Sequence, residues 1–175
     1  PKSITSHTLA VNLNVDGSIA TPGETAKYNF TLQAPTRIMV DAWNGSGLSW
    51  SLSGPRGSEA SSNSFGDASR YFDLPAGTYD FTVTPTGLAT GDYHFRLTDL
   101  SLVSGVSINA DQQISFGAGD LSTAYRRIDL ATDVELLFDR SAGQSSAGEW
   151  RLFNAWGAVV ANGNAASDST GFKLT

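Results

Sequence analysis

The chain has no cysteine in 175 residues. That excludes a disulfide framework, a thiolate zinc site and a thiol nucleophile, and it removes redox chemistry as a guide to compartment. Charge is scarce too: Asp, Glu, Lys and Arg make up 16% of the chain, against roughly 25% in an average soluble domain. With three lysines, eight arginines and a formal charge of -6, the chain lacks the clustered basic stripe that nucleic acid requires. Four residues are Glu and 13 are Asp. Glu builds helices whereas Asp builds turns and caps, so long solvated helices are not expected. No apolar run approaches the ~20 residues of a membrane helix, so insertion is not expected. Pro1-Lys2-Ser3 opens no signal peptide, and a targeting segment is expected to be missing or already removed.

What fills the chain instead is turn chemistry alternating with apolar residues at period two. The pairs and triplets are Tyr28/Phe30/Leu32, Ile38/Val40/Ala42, Trp50/Leu52, Phe72/Leu74, Tyr79/Phe81/Val83 and Tyr93/Phe95/Leu97. Each reads as a strand with one buried face. Between them lie Asp16-Gly17-Ser18, Thr21-Pro22-Gly23-Glu24, Asn44-Gly45-Ser46-Gly47, Gly54-Pro55-Arg56-Gly57, Pro75-Ala76-Gly77 and Ala89-Thr90-Gly91-Asp92. Short strands punctuated this regularly predict an all-β protein made of antiparallel β-sandwich.

The chain also compares with itself. Val11 to Ile19 lines up with Val106 to Ile114, Ala26 to Gly45 with Ala124 to Gly143, and Trp50-Ser51-Leu52 with Trp150-Arg151-Leu152. Phe72-Asp73-Leu74 then meets Phe172-Lys173-Leu174. Trp150, Phe153, Trp156 and Val160 could form a helical stripe. Their counterparts are cut by Gly54-Pro55, which favours strands. The expected domains are 10–99, a complete sandwich repeat, and 104–175, a second repeat lacking its last two strands. A trimmed chain, a divergent closing element, or completion by a partner chain or by Ser3 to Val15 would each account for the shortfall.

The first copy carries a resemblance. Gly23-Glu24 with Tyr28 and Phe30, Leu48 to Pro55, Leu74-Pro75-Ala76-Gly77-Thr78-Tyr79-Asp80-Phe81-Thr82-Val83 and Gly91-Asp92-Tyr93-His94-Phe95-Arg96-Leu97 together resemble the bacterial pre-peptidase C-terminal domain. The resemblance implies a jelly-roll-like sandwich, found as a non-catalytic module in secreted proteases and repetitive surface proteins. Some relatives bind calcium through acidic residues before the middle strand. The corresponding Ser46-Gly47-Leu48-Ser49 has none.

Candidate chemistry is sparse. His7 and His94 both read as solvated surface residues, and no nucleophile elbow, zinc-binding His pair or phosphate loop is present. An enzyme is not expected. Asn14 and Asp16 recur as Asn109 and Asp111, and Asp41 recurs as Asp139. Such oxygen donors suit calcium, the one metal the chain suggests, but they are also what a turn needs, and the absence of dense carboxylate runs favours the turn reading. Trp50 and Trp150 share a repeat position and read as core. Trp43 and Trp156 are not demanded by the repeat; with Arg56 and Arg140 they are the candidate contact surface for a glycan or matrix ligand. Arg126-Arg127 reads as edge protection on a strand. The expectation is thus a structural or adhesive module, secreted or at the cell surface, whose partners are neighbouring domains of a larger protein. A carbohydrate- or matrix-binding module using exposed aromatics is the alternative.

Overall fold

A computed structural model describes residues 3–65, 70–111, 123–137 and 148–164, with the backbone of 172–174. The chain divides into one unit of residues 1–104 and 111–127 and a second of 105–110 and 128–175.

In the first unit the period-two segments become β3 (Thr25–Leu32), β4 (Thr36–Asn44), β5 (Leu48–Gly54), β7 (Arg70–Leu74), β8 (Gly77–Pro85) and β9 (Gly91–Asp99), as the alternation predicts. Three further strands complete it: β1 (Ile4–Thr8), β2 (Asn14–Ile19) and β6 (Gly57–Ser62). One sheet runs β1-β3-β8-β5-β6 and the other β2-β9-β4-β7. All neighbours are antiparallel except β1 and β3. The sheets form a β-sandwich whose inner faces are the predicted apolar sets, with Tyr28, Phe30, Trp50, Leu52, Phe81 and Val83 buried together with Ile38, Val40, Tyr93, Phe95 and Leu97. Aromatic rings dominate this core. Phe81 stacks on Phe95 at 4.5 Å between centroids and on Trp50 at 5.3 Å. Offset aromatic pairs add to the area they bury, which makes β5, β8 and β9 the energetic centre.

Three sequence readings are corrected here. Asp16-Gly17-Ser18 is not a turn; it lies inside β2, with Asp16 opposite His94 and Gly17 opposite Tyr93. A Cβ on Gly17 would sit 2.4 Å from the Tyr93 ring, so glycine serves to admit that ring rather than to bend the chain. Completion of the second repeat by Ser3 to Val15 is also displaced, because Ile4–Thr8 pairs in parallel with β3 of the first unit. Arg126 and Arg127 lie outside any strand, and the Arg127 amide donates to the Ser104 carbonyl at 3.1 Å.

The second unit contains β10 (Val134–Leu136), β11 (Glu149–Phe153), β12 (Val159–Asn164) and β13 (Phe172–Leu174). β10 pairs with β13, and β11 pairs with β12 as a hairpin. The stretch from Trp150 to Val160 is therefore strand, turn and strand, as the Gly-Pro of its counterpart predicts. Leu136 is buried, Trp150, Leu152 and Phe153 are half-buried, and Val159 and Val160 are exposed.

Candidate functional site

Two of the charged candidates, Asp16 and Asp41, belong to cross-strand pairs. Asp16 and His94 oppose each other on β2 and β9, with Oδ1 and Nδ1 2.5 Å apart. His94 is thus engaged rather than simply solvated. Asp41 lies in the middle of β4, opposite Arg96 of β9, and is only 4% exposed. The Arg96 Nη2 reaches its Oδ2 at 3.5 Å and also donates to the Thr123 carbonyl, while the guanidinium lies 5.7 Å from the Tyr125 ring centroid. Burying a carboxylate on a strand requires such a counter-charge. Asn14 leads into β2, Asn109 occupies a left-handed turn at φ 62, and Asp111 is exposed. Asp139 and Arg140 lie outside the described residues.

For calcium the described donors do not fit. The ion takes six to eight oxygens, yet among the described residues no three His, Cys, Asp or Glu side chains converge. Asp16 and Asp41 face His94 and Arg96 from different positions of the β2-β9-β4 ladder.

The aromatic candidates separate. Trp43 stands at the end of β4, half-buried, beside a depression of about 360 Å³ lined by the 44–48 loop with Asn63 and Ser64. Arg56 is at the other end of β5, in the β5-β6 turn. Its guanidinium holds Glu59 at 2.6 and 2.9 Å and donates to the Asp73 carbonyl at 3.0 Å. The pair draws the Glu59 carboxyl below its usual range by hydrogen bonding. Arg56 therefore latches its own hairpin and shares no surface with Trp43. Trp156, by contrast, is 87% exposed at the β11-β12 turn. The Asn154 side chain accepts from the Trp156 and Ala158 amides, both at 3.0 Å, and holds the loop that presents the ring.

A cleft absent from the sequence reading lies between β1 and β2. It has a volume of about 510 Å³ and is lined by residues of both strands, with Tyr28 and Tyr93 among its walls. Their hydroxyls share a hydrogen bond of 2.7 Å, and burial raises both above the ordinary tyrosine range. His7 stacks on Tyr28 at 4.9 Å. The alternation of Tyr28 and Tyr93 with their neighbours marks both as core, and nothing local in the sequence brings their tips together.

No family profile matches the chain and no curated protein sequence matches it. Among solved structures it is similar to a periplasmic inhibitor of g-type lysozyme from Aeromonas hydrophila, at 16% identity over 56% of this chain and 98% of that one, with a TM-score of 0.48. It is similar too to the pre-peptidase C-terminal domain of a Bacillus anthracis collagenase, at 19% identity over 56% and 97%, with a TM-score of 0.46. The Salmonella Typhimurium lysozyme inhibitor aligns at 19% identity over 53% and 98%, with a TM-score of 0.38. At these identities and scores the likenesses lend no function to this chain.

Proposed function

We propose that the chain is a non-catalytic structural or adhesive repeat module of a larger secreted or surface-displayed bacterial protein. The observation that carries the reading is a recurrence of strand register. In β4 and β7, Thr36 opposes Leu74 and Ile38 opposes Phe72; in β10 and β13, Val134 opposes Leu174 and Leu136 opposes Phe172. These are the positions that the sequence repeat equates. The two hairpins agree further, because β5-β6 shifts register between Leu52 and Ser53 and β11-β12 between Leu152 and Phe153. Gly57 and Gly157 both have φ of 91°. Random strand pairing does not reproduce register and bulge together, since both depend on turn length and on which face is buried. This supports two copies, at about 10–99 and 104–175, with β10 to β13 as counterparts of β4 to β7. Repetition of a unit whose charges are spent on strand pairing suits spacing and presentation.

The second reading is a carbohydrate- or matrix-binding module, and Trp156 favours it. An exposed ring on a hydrogen-bonded turn is a stacking surface with little ordering cost. Co-sedimentation of the chain with insoluble peptidoglycan, chitin, cellulose and collagen separates the two. The structural reading expects the chain to remain in the supernatant. Retention by one polymer, abolished in Trp156→Ala, would replace it with the binding reading.

A further inference from the structure

We propose that β1 is a self-association edge, pairing antiparallel with β1 of a second copy of this chain about a two-fold axis at Ser6. The Thr25 amide donates to the Ser3 carbonyl at 2.9 Å, and the Leu9 amide to the Asn29 carbonyl at 2.8 Å. In a parallel pair alternate residues of a strand bond to the neighbour. Ser3, Thr5, His7 and Leu9 thus face β3, and Ile4, Ser6 and Thr8 turn their N–H and C=O groups to the open side. Among the described residues no backbone partner meets them there. That is a row of three donors and three acceptors without cover among the described residues.

The occupant follows from charge and symmetry. Natural edges are guarded by charged residues, proline or bulges. In the sandwich of the first unit the other three edge strands carry such charges: Asp16 on β2, Glu59 on β6, and Arg70 with Asp73 on β7. β1, Ile4-Thr5-Ser6-His7-Thr8, has no Asp, Glu, Lys, Arg or Pro, and Ile4 is 64% exposed. A two-fold contact sets the residue on its axis against its own copy, so that residue must carry no fixed charge, and Ser6 carries none. Antiparallel pairing at Ser6 sets Ser6 against its copy, Ile4 against Thr8 and Thr5 against His7. Every outward N–H then meets an outward C=O, and the β-branched Ile4 and Thr8 meet across the join. No histidine faces a histidine. The result is a continuous ten-stranded sheet through two five-stranded ones.

One strand edge covers much less than the roughly 1,000 Å² of a stable interface, so pairing is expected only above about 100 µM. The formal charge of -6 on each chain opposes it. Added salt screens that repulsion and strengthens pairing. Sedimentation velocity of the full chain, from about 10 µM to about 1 mM at low and high salt, reads the mass directly. The expected result is a rise toward twice the chain mass, larger at high salt, with the Ser6 amide protected from hydrogen exchange only at the upper concentrations. Ser6→Pro removes an N–H that β3 does not use, and Ser6→Lys sets two ammonium groups face to face. Both variants are expected to stay monomeric with an unchanged melting temperature. A wild-type chain that is monomeric at about 1 mM overturns the proposal. So does association that survives both variants.

Discussion

The hairpins β5-β6 and β11-β12 shift register just after Leu52 and Leu152, yet they are finished differently at both ends of their chemistry. Beneath the first, Leu52 is fully buried, and Trp50 stacks on Phe81 of β8. Beneath the second, Leu152 and Trp150 are half-buried, with Trp150 lying over Gly163 of its own hairpin partner. At the first tip Arg56 is clasped by Glu59 and the Asp73 carbonyl. At the second the corresponding Trp156 is left in solvent. Register is settled within a hairpin, by its turn and its bulge. Burial is settled by the strands that come to lie beside and across it.

The contrast has measurable consequences, beginning with the leucines. Leu52→Ala is expected to cost about 2–5 kcal/mol, as for a fully enclosed leucine. Leu152→Ala is expected to cost under about 1 kcal/mol, because a half-exposed side chain leaves no cavity. Urea unfolding of both variants checks this, and equal losses would mean that the second hairpin is as enclosed as the first. Gly17→Ala comes next. Its Cβ would collide with Tyr93, so a loss of about 1–3 kcal/mol is expected in thermal unfolding. Gly157→Ala, in the turn of the second hairpin, is expected to lose about 1 kcal/mol through its left-handed backbone.

Acid titration probes the clasped side of the first unit. Arg37 holds Asp73 at 2.7 and 2.9 Å, and this hydrogen bonding keeps the Asp73 carboxyl below its usual range. A carboxyl whose folded pKa is depressed contributes stability that is full above its unfolded value and fades as pH falls through the folded one. Unfolding midpoints should therefore hold down to roughly pH 4 and decline below it. Asp73→Asn should flatten part of that decline, and for so exposed a pair the change is at most about 1 kcal/mol. The smallest effects belong to the second tip and to calcium. Trp156→Ala is expected to move the melting temperature by no more than the equivalent of about 0.5 kcal/mol. Millimolar calcium should leave it unchanged, and an upward shift would show that donors outside Asp16 and Asp41 gather around the ion.

How far these arrangements could be read from residues varies with their physical origin. β3, β5, β8 and β9 announce themselves, because a strand buried on one face must alternate, and Tyr28/Phe30/Leu32 or Tyr93/Phe95/Leu97 do so without interruption; β4 alternates through Ile38/Val40/Ala42 although Met39 and Asp41 on its other face are buried as well. β6 does not, since Gly57–Ser62 is small and polar and is held by hydrogen bonds to β5 rather than by burial. β1 is silent for the same reason: all five of its residues are exposed. Phe65, buried beside Tyr93 and Phe95, stands outside any strand and outside the periodic pattern. Among the candidate site residues, the turn reading of Asp16-Gly17-Ser18 rested on composition that a strand can share when glycine is needed for a neighbour's ring. Trp43 and Arg56, grouped as one surface, are separated by the length of β5, about 20 Å at strand rise.

The sequence by itself determined an all-β fold, the faces its main strands bury, the places where most of them turn, and the absence of long helices among the described residues. These follow from local chemistry: period-two hydrophobicity, turn-forming Asp and Gly, and few helix formers. Only the tertiary structure decided that the N-terminal strand runs parallel beside β3, that Asp16 meets His94 and Asp41 meets Arg96, and that one hairpin tip is latched while the other is bare. Each of those is a choice of partner between residues far apart in the chain. A strand's alternation states which side is buried, and it carries no label for the strand that will cover it.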